Sequence, residues 1–185
     1  MAEVVATGAA AAVVGALRAH EGDVSVCMAM CTALRNIANP TFEDGEAACV
    51  SAGAVPAIVA ALGRHAGVSG VCKYACGALV NITANSAYGQ IACISAGAVP
   101  AIVAALGRHA IVAVLGCHAG VSGVCYFACM ALLNIGCNIA PHRAAIVAAG
   151  AVPLLAAAFS RHPACRDKAH AALEKLSFSD RGEKL

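Results

Sequence analysis

The chain has 185 residues, of which 61% are apolar, 12% charged and 4% aromatic, with no Trp and with alanine at 47 positions. This composition excludes disorder and is too poor in β-branched and aromatic runs for an all-β sandwich. Net charge is +2, yet residues 47–166 hold Arg64, Lys73, Arg108, Arg143, Arg161 and Arg166 and no Asp or Glu, so paired catalytic carboxylates are missing from the body of the chain.

In chain order, Val4 to Leu17 predicts an Ala/Val-rich helix. It follows Glu3 rather than a basic run, so it does not read as a secretory signal. Thr41–Ser51, Ala87–Ser95 and His142–Ala149 predict three short helices. Each leads into a second helix through a glycine: SAGAVPAIVAALGRHA occupies 51–66 and again 95–110 without a change, and AAGAVPLLAAAFSRH follows at 148–162. Gly53 and Gly97 suit the left-handed residue that ends a helix, and Pro56 and Pro100 suit the first turn of the next. Val55, Ile58, Val59 and Leu62 form an apolar stripe at helical spacing. A third helix is predicted from about Val71 to Asn81, with Val71, Ala75, Ala78, Leu79 and Ile82 inward. Its end recurs as CTALRNI at 31–37, CGALVNI at 76–82, CMALLNI at 129–135 and HAALEKL at 170–176. No apolar run reaches ~18 residues, because Arg64, His65, Arg108, His109 and His118 interrupt the best of them, and no membrane span is expected.

The period is 44 residues from Pro56 to Pro100 and 53 from Pro100 to Pro153. The surplus is Ile111–Ala119, which copies Ile102–Ala110 at seven of nine positions. Nine residues make about 2.5 helical turns, which would face the second copy away from the first. A break is therefore expected at Gly107–Ala110 or Gly116–Gly120, with one copy packed and the other projecting. Four units follow: 3–39, lacking the short helix, then 40–84, 85–137 with the insertion, and 138–178, before a charged tail at 179–185. A helical period near 44 predicts an all-α fold, an α-solenoid.

Three helices per unit, with GAVP opening the second and ALxNI closing the third, resemble the armadillo repeat. The resemblance implies a right-handed superhelix of about four repeats whose third helices line a concave groove, and a non-enzymatic module that binds an extended segment of a partner protein. It implies that Asn36, Asn81 and Asn134, with Lys175 in the fourth unit, grip the segment's backbone. An Asn amide both donates and accepts, although it can equally bond a neighbouring helix end. Where nuclear-import adaptors of the family carry a Trp, this chain has Thr32, Gly77, Met130 and Ala171, so recognition of import signals is not expected. Tyr74, Phe127 and Met130 would form an apolar groove centre, rimmed by Lys73, Lys168 and Lys175; a core position for the aromatics is the other reading. The acid-free centre favours an acidic or phosphorylated segment, while its six charges are too scattered for a nucleic-acid stripe.

Eleven cysteines, an odd number set inside apolar helices, fit reduced thiols and a cytoplasmic compartment. Cys27/Cys31, Cys72/Cys76 and Cys125/Cys129 share a helical face, which leaves a metal- or redox-responsive protein as one alternative. Another is a self-associating array element joined through uncapped ends, or a fragment of a longer armadillo protein. Seven His are present, but without an Asp or Glu from 47 to 166 none there can be oriented for catalysis, and no phosphate loop or HExxH motif occurs. No cofactor and no metal are expected.

Overall fold

Every corner between a short helix and the one after it turns on a glycine. In the computed structural model, Gly53, Gly97 and Gly150 take φ of 75°, 71° and 79°, values that L side chains rarely adopt. Their N–H groups bond the carbonyls of Val50, Ile94 and Val147, which closes each preceding helix. The chain then leaves at 72°, 77° and 80° at the three corners. The structure describes residues 2–42, 44–112, 119–137 and 139–185, and side chains for 8–42, 44–109, 122–137 and 139–185.

The elements are α1 (Ala2–Ala19), α2 (Val24–Ile37), α3 (Gly45–Ser51), α4 (Ala54–Arg64), α5 (Ser69–Thr83), α6 (Ala87–Ser95), α7 (Ala98–Val112), α8 (Ala119–Gly136), α9 (Ala140–Ala148), α10 (Ala151–Arg161), a 3-10 turn (Pro163–Cys165) and α11 (Arg166–Lys175). Helices α2, α5, α8 and α11 pack side by side in one row, and α1, α4, α7 and α10 in a second. The core lies between the rows. All five residues expected inward on α5 are fully buried.

Val59 departs from the expected stripe and is only half-buried, whereas Ala57 and Ala61 are buried. Helix α4 packs against α1 on one side and α7 on the other as well as against α5, so its covered face is wider than one stripe. Helix α3 begins at Gly45, four residues later than Thr41. The Asn39 carboxamide accepts from the Thr41 amide and hydroxyl at 3.0 Å, and Asp44 is left-handed at φ 62°, so the chain bends here before it coils. Gly45 is required by close approach: a Cβ would run into the Ile37 carbonyl, as one at Gly89 would into the Ile82 carbonyl. In the next unit His142 stands in that register and puts Nδ1 3.1 Å from the Ile135 carbonyl.

Helix α7 runs unbroken through Gly107–Ala110, so the break expected there does not occur. Leu106 and His109 are buried on this turn, and a glycine inside a helix costs only about 1 kcal/mol. The first copy of the duplication is thus packed as far as His109. Of the other expected position, 116–118 lie outside the described residues, as do 113–115, and α8 begins at Ala119. The charged segment 179–185 is not a free tail. It folds back through a Phe178–Lys184 bridge, sets Gly182 against Val152 and Ala156 of α10, and brings Asp180 Oδ1 to 2.6 Å from His170 Nδ1.

Thiols and imidazoles finish helix ends between the rows. Cys72 Sγ donates to the carbonyls of His65 and Ala66 at 3.5 Å, and Cys27 does the same to Glu21 one unit earlier. His65 donates through Nε2 to the Glu21 carbonyl at 2.8 Å, while Arg64 pairs with the Glu21 carboxylate. Burial pushes Cys31 up to about 12 and Cys72 up to about 11, and raises the nine buried thiols among the described residues. It also lowers His109 and His162, whose Nε2 atoms are buried without a partner.

Stability should therefore fall on both sides of a neutral plateau. Up to the ordinary thiol value of 9.0 both states keep their protons; above it the unfolded chain loses protons that the folded chain retains. Below the ordinary imidazole value of 6.5 the unfolded chain takes up protons that His109 and His162 resist. His170, raised mainly by its hydrogen bond to Asp180, works in the opposite sense, but it is exposed and screened. Thermal melts under reducing conditions should show the plateau between about pH 7 and 8.5. A melting temperature that is flat from pH 8 to 10 would contradict this account of the thiols.

Candidate functional site

The expected site residues lie along the row of third helices. On α5 it carries Lys73, Tyr74 and Asn81, on α8 Phe127, Met130 and Asn134, and on α11 Lys168 and Lys175. Tyr74, Phe127 and Met130 are half-buried and pack against the core, so they are neither wholly interior nor wholly exposed. Lys168 is half-buried and Lys175 exposed. The Tyr126 ring stands edge-on to Phe127, with centroids 5.3 Å apart at 86°.

Asn81 donates through Nδ2 to the Arg35 carbonyl at 2.7 Å, and Asn134 to the Val80 carbonyl at 3.2 Å. Each carboxamide thus joins its own third helix to the previous one. Its oxygen and second N–H hydrogen make no other hydrogen bond among the described residues. Asn36 is exposed near the end of α2. The positions matching the import adaptors' Trp are spent differently. Gly77 is buried, and Thr32 turns its hydroxyl to the Met28 carbonyl at 2.7 Å.

Two features escaped the sequence reading. Arg35 reaches from α2 across Gly77 and places its guanidinium carbon 5.2 Å from the Phe127 ring centroid. Its register is held by Val80, Leu133 and Glu174 in the later units, so a lone cation in that column was the available signal. The second feature is a hollow of about 340 Å³ where α2, the 38–47 segment and the end of α5 meet. Asn81, Asn85, Asp44 and Glu46 line it together with Phe42, which is 63% exposed. Glu46 accepts a hydrogen bond from Ser86, the residue that caps α6. Nothing local in the sequence brings 38–47 and 81–85 together.

The cysteine pairs do not assemble as ligands. Among the described residues no three His, Cys, Asp or Glu side chains are grouped to hold a metal, and the thiols face helix ends or the core. No single helix among the described residues is long and apolar enough to cross a membrane.

Replacing Asn81 by Ala removes the bond to Arg35 and should lower unfolding free energy by about 1 kcal/mol. Denaturant titration reads this directly. An unchanged midpoint would show that the carboxamide contributes nothing to the joint.

Residues 43–84 match the armadillo/beta-catenin-like repeat. No curated protein matches the chain. Solved structures share its fold. One engineered protein superimposes with a TM-score of 0.74 at 23% identity, over 90% of this chain and 62% of that one. A second engineered protein gives 0.73 at 29% identity, over 96% and 65%. A designed armadillo repeat protein in complex with the peptide (KR)4 gives 0.50 at 22% identity, over 91% and 82%. This chain thus spans just under two thirds of the length of the first two. It carries an armadillo repeat at 43–84, and its fold is the all-α solenoid of armadillo repeat proteins.

Proposed function

We propose that the chain is a non-enzymatic binding module that takes an extended, acidic segment of a partner protein along the third-helix face, in a reducing, cytoplasmic compartment. The armadillo fold generally serves protein binding. The observation that carries the charge preference is the state of the cations on this face. Arg35 rests on Phe127, and the Lys73 ammonium lies 5.2 Å from the Tyr74 centroid. Neither forms an ion pair among the described residues, where the pairs engage Arg64 and His170 instead. Aromatic faces hold such cations by about 0.5–1 kcal/mol and leave their N–H groups open. Asn36, Asn81 and Asn134 would meet the segment's backbone through the carboxamide atoms not used between helices, and Lys168 and Lys175 would extend the positive rim.

Raised thiol pKa values argue against nucleophilic chemistry, since the thiolate is the reactive form. They count equally against the metal- or redox-responsive alternative. The self-associating array loses weight at one end, where residues 178–185 cover part of α10 and α11.

A basic segment is the second reading. The hollow beside Asn81 has Asp44 and Glu46 in its wall, and one structure of the same fold was solved with (KR)4.

Labelled (DE)4 and (KR)4 peptides separate the two. The acidic peptide should bind more tightly, and its affinity should fall as salt rises, because the screening length drops from ~10 Å at 0.1 M to ~3 Å at 1 M. Hydrogen exchange of the complex should then show protection at 73–81 and 126–134. Tighter binding of (KR)4, with protection at 38–47, would establish the second reading and remove the first.

A further inference from the structure

Arg35 is the side chain that spans most of the groove. It leaves α2, crosses α5 at Gly77 and ends on α8 at Phe127. The crossing needs a residue without a side chain: a Cβ at position 77 would lie 3.1 Å from Arg35 Cδ and 3.5 Å from Nε. Lys73 repeats the arrangement one unit later. Its stem crosses α8 at Gly123, where a Cβ would lie 3.1 Å from Cδ and 3.3 Å from Cε. In the same register on α2 the uncharged Met28 crosses Gly70. The crossings are therefore a packing habit of the repeat, and two of the three side chains that use it carry a positive charge.

Gly123 and Phe127 are four residues apart on α8, which places them on one helical face about one turn apart. Arg35 and Lys73 thus arrive on neighbouring turns of the same face. Like charges so placed repel unless an anion lies between them. The chain supplies no such anion from 47 to 166, and among the described residues neither cation spends a side-chain N–H on a protein acceptor. The stems are fixed by packing while the donors stay open. Side chains already ordered lose less freedom when a ligand arrives.

We propose that Arg35 and Lys73 form an anion clamp on the α8 face, seated by Gly77 and Gly123, that closes on a carboxylate or phosphate of the bound segment. This rests on the segment-binding reading above and names the residues that set its charge preference. The planar guanidinium on Phe127 provides a paired donor edge, and the ammonium a point charge, so the two positions are not interchangeable.

The test uses the full chain with three labelled probes: (DE)4, a serine peptide bearing one phosphoserine, and the same peptide unphosphorylated. Wild type should bind one or both anionic probes more tightly than the neutral one. Arg35→Ala and Lys73→Ala should each weaken the preferred anionic probe by roughly tenfold or more. Arg35→Lys keeps the charge but loses the paired edge, and should fall between. Gly77→Ala keeps every charge and displaces Arg35, so it should also weaken binding. Lys184→Ala, in the folded-back segment, controls for net charge and should change little. The arm showing the larger loss identifies carboxylate or phosphate. If Arg35→Ala and Lys73→Ala bind the anionic probes as wild type does, the clamp is overturned while segment binding stands. If Lys184→Ala weakens binding as much as they do, the effect is net charge and the clamp is likewise overturned. If wild type binds none of the probes, both readings fall together. Arg35→Ala and Lys73→Ala leave the glycines untouched, so the outcome does not depend on how position 77 tolerates a methyl group.

Discussion

How closely the third helices can approach one another decides the rest of the structure. A repeat unit of this size cannot cover its own apolar faces, so each third helix is half of its neighbour's core. Where α5 meets α2 and α8, the contact positions hold Ala75, Cys76, Gly77 and Ala78, all buried. Small residues bring the backbones near enough for Asn81 and Asn134 to reach the carbonyls of the previous helix. The same closeness lets long side chains from one helix lie across the next. The face of the third-helix row is therefore made of residues from more than one unit, as where Arg35 of α2 lies over Gly77 of α5 and against Phe127 of α8.

Much of this was legible because the repeat states its own corners. The left-handed glycines at 53 and 97, the prolines in the following turns and the inward set on α5 are local requirements, written within a few residues of where they act. The positions of Asn81, Phe127 and Asn134 on one face follow from helical spacing alone. What stayed hidden around the candidate site depends on contacts between residues 40 or more apart. The carbonyl partner of Asn81 lies 46 residues away, and that of Asn134 lies 54 away. Arg35 went unread because its partners sit on two other helices. The late start of α3 came from an Asn39–Thr41 turn that competes with coiling, and the unbroken α7 from buried residues that outweigh a tolerated glycine.

The cysteines show how spacing can suggest a ligand set that the described residues do not bring together. Pairs at i, i+4 in successive units look like a ligand set when read as spacing. In the structure Cys27 and Cys72 are weak donors to the end of the helix before them, and Cys31, Cys76 and Cys129 are buried in the core. Both jobs need the protonated form, which burial enforces.

The meeting of Gly45 with the Ile37 carbonyl, repeated by Gly89 and Ile82, has a consequence for copy number. The two joints are the same in kind, so residues 45–88 form a cassette whose ends match each other. A further cassette placed between Tyr88 and Gly89 would meet an isoleucine carbonyl with a glycine at both of its seams. The next joint is different, since His142 reaches the Ile135 carbonyl through its ring instead of making room for it. Lengthening is thus open in the middle of the array, whereas the last joint accepts only the unit that carries its histidine.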